Sequence, residues 1–161
     1  MSTSTFDPAR VIAIREWAGG PPSEQLYKVS ASRSVNADRA RIFQAITIPE
    51  YMETWFSAPD TNADCIRVLG VDGLFSIDGR TEAGSRFRIS CEYRVCRRSK
   101  LVFSWRQESF PEATSSMVTI RLRGDFERTT VDVMHSGLRS LERQWCEDLW
   151  TASLAHLSRL F

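Results

Sequence analysis

The chain has 161 residues, of which 42% are hydrophobic and 25% charged, and its formal net charge is +1. These values fit one ordinary soluble globular domain and exclude disordered and fibrous proteins. No apolar run approaches the roughly 20 residues of a membrane span, and no secretory signal opens the chain, so we expect a cytoplasmic protein. A charge this close to zero provides no field that favours nucleic acid or an anionic membrane as a partner.

Residues 1–24 are predicted to form an N-terminal extension to a domain of residues 25–161. The run Gly19-Gly20-Pro21-Pro22 ends any regular element that precedes it. Upstream, Val11-Ile12-Ala13-Ile14 fits a helix and a strand equally well. This segment is more apolar than a disordered tail requires, so we expect it to dock on the domain or on a second subunit.

A strand and two short helices are predicted to begin the domain. Alternating residues indicate a first strand over Leu26–Val35, and Asn36 is the expected N-cap of the helix that follows. Ile42, Phe43 and Ile46 form the apolar stripe of that helix. Pro49 ends it and opens a second helix over residues 50–56.

The rest of the chain predicts six strands and a long terminal helix. Turn signals such as Asp72-Gly73 and Gly124-Asp125 separate the strands, which indicates an antiparallel meander. The predicted strands are 65–69, 74–78, 85–96, 101–106, 116–123 and 130–135. Ser140 is the expected cap of a helix over residues 141–160, whose apolar stripe needs a surface as large as the sheet.

This order of elements and the residues at its junctions resemble the START-like (SRPBCC) superfamily. The closer resemblance is to the bacterial family related to the C-terminal domain of the Aha-type activator of the 90-kilodalton heat-shock-protein ATPase. It extends from about residue 27 to 161. The patterns that carry it are Val35-Asn36-Ala37-Asp38 with Ile42-Phe43, Ile48-Pro49-Glu50 before Trp55-Phe56, Asp72-Gly73-Leu74-Phe75, Lys100-Leu101-Val102-Phe103-Ser104-Trp105, Thr130-Val131-Asp132-Val133-Met134-His135 and Trp150-x3-Leu154-x2-Leu157.

The resemblance implies an α+β helix-grip fold, in which a curved antiparallel sheet holds a long C-terminal helix and a cavity lies between them. Two residues depart from the family pattern. Leu149 stands where the family often has glycine before the helix tryptophan, and Asp72 replaces the first glycine of a Gly-Gly pair. The bulk of Leu149 is expected to narrow or divide the cavity.

Strand alternation turns an almost wholly apolar face toward the terminal helix. Such a face, with a few polar tips, suits a small hydrophobic or aromatic ligand that binds without covalent chemistry. The residues predicted to line the cleft are Trp55, Phe56, Phe75, Phe87, Tyr93, Trp105, His135, Trp145, Leu149 and Trp150. A filled interior is the alternative interpretation of the same residues.

Two other functions compete with ligand binding. The chain resembles a chaperone activator, so the sheet exterior, with Arg86, Arg88 and Arg94, is a candidate surface for a protein partner or a homodimer. That face also suits solvated ion pairs. Some superfamily relatives resemble cyclases or hydrolases, which would make His135 and Tyr93 the candidate acid-base pair. Neither residue has a predicted inward carboxylate partner, so no catalytic residue is assigned.

The cysteines indicate neither a metal site nor a disulfide. Cys65, Cys91, Cys96 and Cys146 contain no C-x-x-C pair and lie among apolar residues. In a regular strand, Cys91 and Cys96 point to opposite faces, because an odd number of positions separates them. We therefore expect free thiols, and no cofactor.

Overall fold

The computed structural model describes residues 25–61, 63–108 and 115–161. The predicted extension, residues 1–24, lies outside this part. The elements are β1 (Tyr27–Val35), α1 (Arg39–Thr47), α2 (Pro49–Trp55), β2 (Arg67–Val71), β3 (Leu74–Arg80), β4 (Arg86–Arg97), β5 (Lys100–Gln107), β6 (Ser116–Gly124), β7 (Thr129–Leu138) and α3 (Ser140–Arg159). A 3-10 turn, Ala63–Cys65, precedes β2, so that strand begins two residues later than predicted.

The described strands form one antiparallel sheet in the order β1-β7-β6-β5-β4-β3-β2. The meander from β2 to β7 is confirmed, and β1 closes the far side by pairing with β7. Helix α3 packs across β1 and β7 and touches α2. This is the helix-grip α+β fold. No helix in the described ranges is long and apolar enough to cross a membrane.

The two helix caps differ from the sequence prediction by one or two residues. Asp38, not Asn36, caps α1, and its carboxylate accepts from the Arg41 backbone N–H at 2.9 Å. Arg139, not Ser140, is the N-cap of α3, where the Glu142 carboxylate accepts from the Arg139 N–H at 3.0 Å. In both helices a carboxylate satisfies a backbone N–H at the positive helix end.

A bulge in β4 reverses the predicted facing of the strand's last residues. Tyr93 lies opposite Phe103, but Val95 lies opposite Val102, so one extra residue sits in β4. Cys96 is therefore opposite the buried Leu101, on the inner face of the sheet. The prediction that Cys91 and Cys96 point to opposite faces is wrong, because the extra residue shifts the alternation by one position.

Gly124→Ala is expected to destabilise the β6–β7 hairpin. A Cβ at this position would lie 2.1 Å from the Arg128 carbonyl oxygen and 2.8 Å from the Thr129 Cα. Both atoms are backbone in a paired hairpin, so relief requires the strands to separate. Overpacking of this kind costs about 1–3 kcal/mol. A thermal melt should show a midpoint lower by about 2–4 °C for each kcal/mol; an unchanged midpoint would contradict the contact.

Candidate functional site

Three aromatic side chains from different elements meet between the sheet and α3. Trp105 from β5, His135 from β7 and Trp150 from α3 are each at most 1% exposed. The ring centroid of Trp105 lies 5.0 Å from that of His135 and 5.5 Å from that of Trp150. The side chains that the sequence placed at the centre of a cleft are therefore packed against one another.

Hydrogen bonds fix the His135 ring in one tautomer. The Trp150 indole N–H donates to His135 Nδ1 at 3.1 Å, so Nδ1 carries no proton. In the neutral ring the proton is then on Nε2, which donates to Ser116 Oγ at 2.8 Å. The Ser116 hydroxyl in turn donates to the Trp105 carbonyl at 3.3 Å. Every member of this chain has a partner, which is how a buried polar network rigidifies a core.

Burial keeps His135 neutral. It lowers the pKa of the imidazole from its usual 6.5 to about 3, because the charged form would lose its hydration. Both ring nitrogens are engaged, and neither hydrogen bond involves a carboxylate. A general acid or base needs a nitrogen within reach of a substrate proton. His135 is thus placed as a structural residue of the core.

The remaining space of the helix–sheet cleft is filled by apolar side chains. Trp55 is 1% exposed and donates its indole N–H to the Ala45 carbonyl at 2.8 Å. Phe56 lies 6.4 Å from Trp105 between ring centroids, and Leu149 is completely buried. The indole N–H of Trp105 has no acceptor among the described residues. Six of the ten predicted ligand-binding residues therefore form a closed interior: Trp55, Phe56, Trp105, His135, Leu149 and Trp150.

An open pocket of about 350 Å³ lies at one end of the cleft. It is bounded by the α1–α2 junction, the β2–β3 hairpin and the end of β4. Its lining residues are Ile46, Thr47, Pro49, Met52, Val68, Gly70, Val71, Asp72, Gly73, Leu74, Phe75, Tyr93 and Cys96. We call this space the mouth pocket. Of the ten predicted residues it contains Phe75 and Tyr93, whose ring centroids are 5.1 Å apart.

The mouth pocket carries few polar side-chain groups. Burial, and then the nearby thiols of Cys96 and Cys91, raise the pKa of the Tyr93 phenol, so its hydroxyl stays protonated. That hydroxyl makes no hydrogen bond within the described ranges. Burial also raises the pKa of the Cys96 thiol. The pocket thus offers mainly apolar walls, with the Tyr93 hydroxyl, the neutral Cys96 thiol, the Asp72 carboxylate and the Thr47 hydroxyl, which donates to the Phe43 carbonyl, as its polar side-chain groups.

Comparison with protein families identifies the chain. The family model of the activator of Hsp90 ATPase homolog 1-like protein (AHSA1) matches residues 36–161. The chain belongs to this family. A search of the curated proteins finds no match.

Solved structures support the fold of this AHSA1-family chain. Protein CV1439 from Chromobacterium violaceum aligns with a TM-score of 0.71 at 17% identity, over 83% of this chain and 96% of that one. Protein MLL2253 from Mesorhizobium loti aligns with a TM-score of 0.65 at 19% identity, over 83% of this chain and 96% of its own. At these identities the likeness concerns the fold.

Two of the predicted residues lie away from both the interior and the mouth pocket of this AHSA1-family chain. The Phe87 ring packs over Gly79, where a Cβ would come within 2.4 Å of it, and lies 6.0 Å from the half-buried Trp145. Phe87 borders a second, charged groove of about 600 Å³ whose other side chains are mainly Asp64, Arg67, Asp78, Arg80, Arg86, Arg88 and Glu108. The ten predicted ligand-binding residues therefore lie in three separate regions: the closed interior, the mouth pocket and the surroundings of Phe87 and Trp145.

Several mouth-pocket residues were missed in the sequence. Met52 and Val68 line the pocket because α2 crosses the edge strand, where the Glu53 carboxylate accepts from the Val68 N–H at 2.9 Å. A carboxylate two residues before the end of α2 carries no sequence signal for this contact. Cys96 was missed because the β4 bulge turns it inward. The bulge arises from the pairing of β4 with β5, so the sequence of β4 alone does not show that Cys96 faces the pocket.

Proposed function

We propose that this chain binds a small apolar or aromatic molecule, without covalent chemistry, in the mouth pocket. The observation that supports this most is the lining itself, which is mainly aliphatic and aromatic and includes Tyr93. Membership of the family points to a ligand-binding or activator role. Apolar walls supply affinity and a few polar groups fix orientation in most small-molecule sites.

The size of the space restricts the ligand. A volume of about 350 Å³ is at the low end of the range for ligand pockets, roughly 300–1,000 Å³. It suits a compound of one or two rings rather than a long lipid chain, because the closed interior around Trp105 and Trp150 offers no extension. We propose that the Tyr93 hydroxyl forms a hydrogen bond with a polar atom of that compound.

Binding is favoured over catalysis by the state of the Tyr93 and Cys96 side chains in the pocket and by the position of His135. The pKa values of the Tyr93 phenol and the Cys96 thiol are both raised by burial, so neither is an activated base or nucleophile near neutral pH. His135, the candidate base of the cyclase or hydrolase hypothesis, has both nitrogens engaged in the interior.

Cys96→Trp is expected to weaken binding strongly by filling the mouth pocket. Cys96 is exposed and faces the pocket, so an indole there occupies ligand space while the buried core is untouched. The probe is indole together with a panel of one- and two-ring aromatic compounds, followed by thermal shift and protein-observed NMR. We expect affinity to fall by about tenfold or more, which is about 1.4 kcal/mol.

Val95→Trp is the matched control. Val95 precedes Cys96 in the chain and faces the opposite side of the sheet, because successive strand residues alternate between the two faces. Its replacement should leave affinity unchanged. If the panel binds Cys96→Trp as tightly as wild type, or perturbs no resonance of Phe75 or Tyr93, the mouth pocket is not the site.

A further inference from the structure

The outer face of the sheet carries three cations in one row across β4, β5 and β6. Arg97 lies directly opposite Lys100, and Lys100 lies directly opposite Arg121. Neighbouring strands are about 4.8 Å apart, so the row is compact. We call these three residues the basic row.

The side chains of the basic row form no ion pair in the described part of the chain, because Asp132, which lies opposite Arg121 on β7, pairs with Arg123 instead. None of its three side chains has an ion pair or hydrogen bond there. Two other arginines of the face are paired: Arg88 with Asp78 at 2.8 Å, and Arg123 with Asp132 at 2.7 Å.

Like charges directly opposite one another destabilise a sheet. The chain thus neutralises some arginines of this face and leaves three adjacent cations open. Arg88 and Arg94, which the sequence offered as a partner surface, are the paired ones; Arg94 lies 3.6 Å from Glu92.

A second row, which is largely apolar, runs beside the basic row on the same face of the sheet. On each strand that the two rows share, two positions separate their residues. The row crosses four neighbouring strands, β4 to β7, and consists of the cross-strand partners Val95, Val102, Thr119 and Met134. Met134 is 39% exposed and the others are half-buried. We call these four residues the apolar row. A groove of about 370 Å³ continues it toward β1, between Met134 and the small side chains Ser30 and Ser32.

We propose that the two rows are a docking surface for an acidic amphipathic helix of a partner protein. Charge complementarity requires acidic groups spaced by about 4.8 Å. Helix positions i and i+4 are about 5–6 Å apart, which matches this spacing, whereas alternate residues of a strand are about 6.7 Å apart. The apolar row lies about 7 Å away, within the roughly 10 Å width of a helix.

The local charges and shape favour a protein segment over an anionic membrane. Asp132 and Glu92 border the two rows and would repel a continuous layer of anionic headgroups, whereas a single helix can place its acidic side chains over the basic row alone. Apart from Met134, the side chains of the apolar row are half-buried in the sheet surface and do not project as an inserted anchor would. The surface lies on the side of the sheet opposite the mouth pocket, so this proposal is independent of the proposed ligand.

A designed peptide tests the docking surface. The probe is a synthetic helix of about 18 residues, or five turns, with glutamates at i, i+4 and i+8 and leucines on the adjacent stripe. A scrambled peptide of the same composition is its control. We expect the full chain to bind the helical peptide by calorimetry, with an affinity that falls as salt rises.

The combined substitution Arg97→Glu, Lys100→Glu and Arg121→Glu should weaken this binding by about tenfold or more. The matched control is the combined substitution Arg80→Glu, Arg86→Glu and Arg106→Glu. It makes the same change of charge, at outward arginines that have no ion pair within the described ranges. The control should bind within about twofold of wild type. Circular dichroism and a thermal melt establish that both variants fold.

Four results would overturn the proposal. The helical peptide binds no better than the scrambled one, or both triple variants lose the same affinity. The basic-row variant loses binding to phosphatidylserine vesicles that the peptide does not displace, which assigns the surface to lipid. Wild type self-associates in the ultracentrifuge and the basic-row variant does not, which assigns it to a second copy.

Discussion

His135→Leu is expected to lower the free energy of unfolding by about 1–3 kcal/mol at neutral pH, because it leaves a buried donor without an acceptor. The Trp150 indole N–H loses Nδ1, its acceptor at 3.1 Å, and Ser116 Oγ loses the Nε2 proton at 2.8 Å. Leucine replaces neither partner. Chemical denaturation at neutral pH measures the loss.

The same substitution should flatten the acid limb of the stability profile. The unfolded imidazole binds a proton near pH 6.5, but burial lowers the pKa of the folded group to about 3. Between these values the unfolded state holds more protons, so the free energy of unfolding is highest above pH 6.5 and falls as pH falls. From pH 6.5 to 5 this single group costs wild type about 1.6 kcal/mol.

The difference between wild type and His135→Leu should therefore shrink by that amount between pH 6.5 and 5. His156 is common to both proteins and drops out of the difference. Parallel stability profiles over this range would show that His135 titrates alike in the folded and unfolded states, and would contradict its enclosure.

Leu149→Ala is expected to cost about 2–5 kcal/mol and to open a cavity in the interior. Leu149 is completely buried, on the turn of α3 that carries Trp150 against the sheet. Its removal takes away packed atoms that the surrounding aromatic rings cannot fully replace. The variant should regain stability when a small apolar molecule such as benzene is added, since a ligand that binds only the folded state stabilises it.

Leu141→Ala on the same helix is the control. Leu141 is 61% exposed, so its truncation should change stability by less than about 0.5 kcal/mol. If Leu149→Ala costs no more than this control and gains nothing from benzene, the interior is not filled at this position.

The fold could be predicted because its signals are local. The Asp72-Gly73 pair forms a two-residue hairpin turn with φ values of 52° and 82°, a conformation that Asp and Gly tolerate. The alternation of residues along β5 predicts which face of the strand is buried, and the apolar stripe of α3 predicts which side of the helix packs on the sheet. The family resemblance added how these elements join.

The site could be predicted less well. Strand alternation tells which side of the sheet a side chain faces, but it does not tell whether empty space lies in front of that side chain. Alternation placed Phe75, Phe87 and Trp105 on one face, yet only the three-dimensional packing shows that they border three different spaces. The β4 bulge, which brings Cys96 to the mouth pocket, depends on pairing with β5. Likewise, the ion pair of Arg88 with Asp78 follows from register and leaves no trace in the local sequence.

The most direct test of a closed interior is the ring ¹⁵N NMR spectrum of His135 in the wild-type chain, recorded as pH is lowered. We expect the neutral ring with its proton on Nε2, as the bond from Trp150 requires, and no titration down to about pH 5. A ring that titrates near 6.5, or one that carries its proton on Nδ1, would place His135 in contact with water and return the ligand site to the helix–sheet cleft.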